Sequence, residues 1–304
     1  LLPESVKSQG VEMAKTVVVL LAGIISISFA SIFIKLCDDV PAIMIATYRL
    51  SIASVILCVY YTLRGHSFTK IDKIDLLLAL LGGLFLSFHF ITWISSLKYT
   101  SVASSVVLVA TNPIFVGVLS YFLLKEKQHL VLVIGIVLCF MGSIMIAIGD
   151  SGLGGAISIG KQALIGDILA LLGAFMASGY LIVGSKARER LDITTYVTLV
   201  FTISALFLLL TSFMSRIPFF GYKPSSYLFM VLLAVVPQLI GHTSINWALK
   251  HLKTSMVAIS ILGEPVGATI LAYIIFRESV GAIQLVGIAL IFAAILIASK
   301  KGGK

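Results

Sequence analysis

The sequence predicts an all-α integral membrane protein: ten transmembrane helices in two inverted five-helix repeats, with both termini cytoplasmic. Three observations lead there. The first is composition. With 59% hydrophobic residues, 12% charged residues and a mean hydropathy of +1.12 over 304 residues, the chain carries more apolar side chain than a soluble core hides. The second is punctuation: charged and turn-rich joints leave ten apolar stretches, each close to the roughly 20 residues a helix needs to span hydrocarbon. The third is repetition. Asn112-Pro113 in the fourth stretch returns as Glu264-Pro265 in the ninth, and twelve residues beyond each proline stands a basic residue followed by glutamate, Lys125-Glu126 and Arg277-Glu278.

Taken in order, the stretches at 17–37, 41–63, 74–97, 101–123 and 130–149 form the first repeat, 16–150. Those at 163–185, 193–214, 226–249, 254–276 and 281–299 form the second, 162–300. Strands of a membrane barrel are about half as long and alternate in polarity, which these stretches do not. Gly135, Gly142 and Gly149 give the fifth stretch a small-residue stripe, and Gly287 and Ala294 begin its counterpart in the tenth; such stripes let helices approach closely in lipid. Between the halves, Asp150 to Gly160 has the glycine-rich, nearly uncharged composition of a linker. Its glycines follow no strand and precede no Gly-Lys-Ser/Thr, so they form no phosphate loop. Asp167 is expected near the start of the sixth helix, at the favourable end of its dipole. Five crossings per half is an odd number, so the second half enters from the opposite side and the repeats are inverted.

Basic residues set the orientation. With the N-terminus inside, 15 lysines and arginines fall on the cytoplasmic side and 6 outside, with Arg49 within the second stretch. The net charge of +9 is then the cytoplasmic belt of a bilayer protein and requires no nucleic-acid partner. No cleavable signal peptide is read at the N-terminus. Cys37, Cys58 and Cys139 lie in different stretches without metal or redox spacing and read as packing residues. No metal site is expected, and the chain shows no His-Glu-x-x-His or Gly-x-Ser-x-Gly motif, so an enzyme is not expected.

Further residues echo between the halves: Trp93 precedes Thr100-Ser101 as Trp247 precedes Thr254-Ser255, and Gly135 and Phe140 recur as Gly287 and Phe292. The segments Phe88 to Trp93, Leu97 to Ala103 before Asn112-Pro113, Gly241 to Leu249, and Leu262 to Val266 resemble the EamA family of the drug/metabolite transporter superfamily. Tyr48-Arg49 and the glutamates Glu126 and Glu278 fit the same resemblance. It covers nearly the whole chain and implies ten helices around a central cavity, with small metabolites, often exported, as cargo.

Glu264 is the leading candidate for substrate binding or coupling. It falls near the middle of its stretch, where an ionisable side chain is costly and faces a cavity or a partner. Gly263 precedes it, and Pro265 cannot donate to the carbonyl of Ile261, so backbone is opened at membrane depth, as transporters often line a site. Asn112 is its neutral counterpart, with Pro113 freeing the carbonyl of Val109. His89 and Trp93 are four residues apart, as are His242 and Asn246, so each pair projects from one helical face. Trp93 and Trp247 hold matching positions, suited to closing over a substrate from two sides; the interfacial belt is the other reading. Arg49 either anchors a substrate carboxylate through two parallel hydrogen bonds, or snorkels outward or pairs with a carboxylate of the protein. For Glu264, Asn112 and the histidines, helix-to-helix hydrogen bonding is the alternative.

These readings describe a secondary transporter in the plasma (inner) membrane, an exporter of small polar metabolites such as amino acids or their derivatives, working by alternating access through a central cavity. It needs no cofactor; proton coupling through Glu264 is the expected drive. Its partners are a small-molecule substrate and the lipid bilayer, with a homodimer through the striped helices or packing within one chain both open. Two other classes stay open: a flippase of lipid-linked sugar or another amphiphile, and a membrane sensor or scaffold without flux.

Overall fold

The computed structural model describes residues 4–65, 71–99, 105, 108–125, 130–151, 161–277 and 281–299. The first half contains α1 (Glu4–Lys35), α2 (Ala42–Leu63), α3 (Lys73–Ser96), α4 (Asn112–Leu124, π-helical from Ser120) and α5 (Leu130–Ser151). The second contains α6 (Lys161–Arg190), α7 (Ile193–Met214) and α8 (Pro224–Ala248), followed by α9 in two segments, Thr254–Ile261 and Gly263–Phe276, and α10 (Ala282–Ser299). Among the described residues, seven helices are long and apolar enough to cross a membrane; Asn112–Leu124, Val133–Gly142 and Leu285–Ala294 are shorter apolar helices. No β-strand occurs among the described residues. Large apolar side chains such as Leu21, Val55, Leu77 and Leu206 face outward, the surface a bilayer covers.

Local chemistry explains the joints. The first span stops at Lys35, short of the expected 37, because Cys37 and Val40 turn back onto Ile34 and Cys37 carbonyls ahead of Pro41. Helix α6 begins at Lys161, so Asp167 lies beyond its first turn and the helix-dipole reading is corrected. At the start of α7, Asp192 caps the helix, accepting the Thr195 N–H at 3.0 Å. Pro237 removes a donor inside α8, and Ala234–His242 is π-helical around it. The repeated basic residues ahead of the glutamates are helix stops: Lys125 and Arg277 end α4 and α9 in the left-handed region, at φ 56° and 58°. Glu126, Glu278, Thr100-Ser101 and linker residues 152–160 lie outside the described residues.

Packing obeys the repeat. Helix α3 lies along α6 as α8 lies along α1; α4 crosses α6 as the second segment of α9 crosses α1; and α2 meets α7 as α5 meets α10. Exchanging each helix with the one five places on maps each of these pairings onto its mate or itself. The small-residue stripes are used within the chain: a Cβ on Gly142 would lie 2.6 Å from the Gly287 carbonyl, so α5 and α10 touch backbone to backbone. Gly83 is a packing point, since a Cβ there would meet Ile203 at 2.7 Å.

Two polar ties join the halves at opposite ends. Where α1 ends and α8 begins, Lys223 Nζ lies 2.9 and 2.8 Å from the Asp38 carboxylate oxygens, and Asp39 accepts the Lys223 N–H at 2.7 Å and Ser226 Oγ at 2.5 Å. Where α6 ends and α3 begins, Arg190 donates to Asp75 and, at 3.3 Å, to Asp72.

Candidate functional site

Pro113 and Pro265 shape the site. Each removes the N–H that would close the helix onto the carbonyl four residues back. Accordingly α4 begins only at Asn112, after a turn, and α9 breaks at Leu262. A serine from the other half's first helix braces each break. Ser178 Oγ on α6 donates to the Asn112 carbonyl at 3.2 Å, and Ser28 Oγ on α1 donates to the Glu264 carbonyl at 3.3 Å. Both hydroxyls also reach the carbonyl four residues back in their own helix.

The two breaks face one cavity of about 110 Å³. That is several times the roughly 10–15 Å³ a single water needs, so the space suits a small solute. Its wall is mostly apolar, from residues such as Ile27, Val109, Ala177, Leu181 and Ile245. Of the residues singled out in the sequence, Arg49, His89, Trp93, Asn112, Pro113, His242, Glu264 and Pro265 line it.

Each polar group is held differently. Arg49 is 1% exposed, donates from Nε to Gln238 Oε1 at 2.7 Å, and lies with Cζ 4.2 Å from the centroid of the Phe90 ring. The snorkelling reading of Arg49 is thereby corrected: the side chain turns inward. Among the described residues it pairs with no carboxylate, and Glu264 on the facing helix likewise forms no ion pair. His89 Nδ1 is 2.9 Å from the Gly173 carbonyl, and its ring stacks on Trp93 at 5.7 Å. A carbonyl only accepts, so Nδ1 carries the hydrogen and the helix-bridging reading of His89 holds. Asn112 Nδ2 donates to Ser178 Oγ at 2.9 Å and to the Ala174 carbonyl at 3.2 Å. Asn112 Oδ1, Trp93 Nε1 and His242 Nδ1 are buried without partners among the described residues.

Three of the expected site residues, Trp247, Tyr48 and Asn246, are placed elsewhere, while Gly263 lies at the break where its backbone role was expected. Trp247 packs against His251 with the rings tilted and their centroids 4.1 Å apart, under Lys15 at 5.9 Å, so the two tryptophans do not close over one cavity. Tyr48 donates to the Phe219 carbonyl at 2.8 Å, near the ends of α7 and α8. Asn246 stands behind the wall, donating to Tyr180 and, at 2.7 Å, to the His242 carbonyl. Gly263 opens the second segment of α9 without reaching the cavity. Sequence reasoning passed over Tyr180 and Phe90, which line the site, and Gln238, which holds Arg49. Tyr180 and Phe90 carry no sequence signal among so many aromatics. Pro237-Gln238 did carry one, a polar residue beside a proline at membrane depth, as at Glu264-Pro265. No cluster of three or more His, Cys, Asp or Glu side chains suited to a metal occurs among the described residues.

A helical membrane body whose two broken helices meet at a charged internal cavity has the architecture of a transport protein. Comparison with known proteins agrees: the model of the EamA-like transporter family matches this chain twice, over residues 14–148 and 164–300. The chain belongs to that family. An uncharacterized transporter of Clostridium kluyveri is 26% identical over 72% of this chain and 70% of its own length. The uncharacterized transporter YetK of Bacillus subtilis is 27% identical over 86% of this chain and 79% of its own. A solved crystal structure superposes with a TM-score of 0.79, covering 94% of this chain and 97% of its own at 17% identity, a likeness of fold.

Proposed function

We propose that this chain is a secondary exporter of small polar metabolites, amino acids or their derivatives, operating by alternating access across the plasma membrane with both termini cytoplasmic. The observation that carries the reading is the cavity's pair of opposite, mutually unbonded charges, Arg49 and Glu264. A guanidinium takes a carboxylate through two parallel hydrogen bonds, and a carboxylate takes an ammonium. A zwitterion satisfies both, and among the described residues neither charge is held in an ion pair. The apolar wall then meets the rest of the solute, as in other small-molecule sites.

Coupling belongs to Glu264. Ionised, it holds the solute's ammonium; protonated, it lets the emptied cavity return without an unpaired anion in the membrane, whose burial is costly. Each cycle thereby exchanges solute for proton. The test is flux from proteoliposomes loaded with a mixed amino-acid and metabolite pool under an imposed pH gradient. The intact protein is expected to release particular solutes uphill, and Glu264→Gln to pass them only downhill. Undiminished pH-driven flux in Glu264→Gln would remove proton coupling through this residue.

A further inference from the structure

We propose that Gln238 sets the charge selectivity of the cavity by fixing Arg49 in place without neutralising it, an inference that rests on Arg49 being the anchor for the solute's anionic group. A guanidinium buried in a membrane protein ordinarily has a carboxylate beside it, because a lone buried charge is expensive. At Arg49 the residue in that place is an amide. Gln238 is fully buried in the π-helical part of α8, and its Oε1 accepts from Arg49 Nε at 2.7 Å. On its flat side the guanidinium rests 4.2 Å from the Phe90 ring. These two contacts fix the plane of the fork while leaving its full positive charge in place. Nε is thus engaged, whereas Nη1 is buried without a partner among the described residues.

Stability alone argues for glutamate at this position. Gln238 Nε2 is itself a buried donor without a partner among the described residues, which costs free energy. Glutamate has nearly the same shape, would remove that orphan donor and would give Arg49 an internal counter-ion. It would also occupy the charge that the solute's anion is meant to meet. The amide therefore keeps the anchor available at the expense of local stability. Discrimination between carboxylate-bearing solutes and their carboxylate-free amines follows from residue 238 as much as from Arg49, although residue 238 acts only through Arg49.

The test uses the full chain in proteoliposomes and counterflow of two radiolabelled probes of matched carbon skeleton, an aliphatic amino acid and the amine left by its decarboxylation. The intact protein is expected to prefer the amino acid. Gln238→Glu is expected to lower that preference at least about tenfold, the order of one charge-assisted hydrogen bond, while melting no lower than the parent. Gln238→Met, neutral and similar in size, is expected to raise KM for the amino acid with little change in the maximal rate, because the fork is no longer aimed. An unchanged preference in a folded Gln238→Glu protein overturns the proposal. Should that variant fail to fold, an unchanged KM in Gln238→Met overturns it instead. Intact protein that passes neither probe, or favours the amine, overturns the anchor reading and this proposal with it.

Discussion

At the scale of residues, the tie between α1 and α8 shows how short polar contacts set protonation outside the membrane. The Ser226 hydroxyl and the Lys223 N–H both donate to Asp39 and hold its carboxyl below the usual range, while Asp38 beside the Lys223 ammonium holds that group above its own. A depressed acid contributes stability that is fully present above its unfolded value and is lost as pH falls through its folded value. A raised base contributes stability that is lost as pH rises through its folded value. The tie is therefore intact across the neutral range and fails at both extremes. Asp39→Asn is expected to melt below the parent at neutral pH, with the gap closing in acid as the parent's own Asp39 takes up its proton. Melting curves across pH check this, and a constant gap would count against it. The candidate site was only partly legible at this scale. Glu264, Arg49 and Asn112 announced themselves as polar residues in apolar runs. Trp247 misled because a repeat relates positions in sequence, and the two halves place equivalent tryptophans in different surroundings.

Among the elements, helix ends were legible and helix faces were not. Pro41, Pro224, Asp192 and the prolines after Asn112 and Glu264 act through backbone chemistry that a sequence displays directly, so boundaries agree closely along most of the chain. Facing was obscured because these helices are apolar all round, and lipid accepts the same residues as the protein interior. The braces at the two breaks were hidden for that reason: Ser28 and Ser178 are small residues in apolar helices, recognisable only once their helices cross the breaks. Ser28 contributes one interhelical hydrogen bond and Ser178 two, since it also accepts from Asn112 Nδ2; each such bond is worth about 0.6 kcal/mol in membrane proteins and at most about 1.7. Ser28→Ala is expected to lower stability by about one such bond and Ser178→Ala by about two, and the double variant by about their sum, since the braces share no partner. Unfolding from detergent micelles measures this. A single variant without effect would show that its carbonyl is as well served by its own helix.

For the molecule as a whole, the two ties sit where alternating access would have to open. The Lys223–Asp38 pair is exposed, and such pairs are worth little for folding but enough to shift two near-equal states several-fold; Asp75 is buried against Arg190, and losing that pair shifts the balance at least as far. Asp75→Asn loosens the α3–α6 end and Asp38→Asn the α1–α8 end. With a cysteine at Ala177 as the reporter, in a chain otherwise free of cysteine, a membrane-impermeant thiol reagent is expected to label Asp75→Asn faster from one side and Asp38→Asn faster from the other. Equal effects from the same side would assign the ties to packing alone.

The same ties carry a further consequence. At both ends the acids, Asp38, Asp39, Asp72 and Asp75, come from the first half, and the bases, Lys223 and Arg190, from the second. Two first halves brought together in the same geometry would set acid against acid at both ends, and two second halves base against base. The halves share one architecture yet are matched like the two subunits of an obligate heterodimer: a chain severed between them would reassemble only as unlike partners, each half rejecting its own copy.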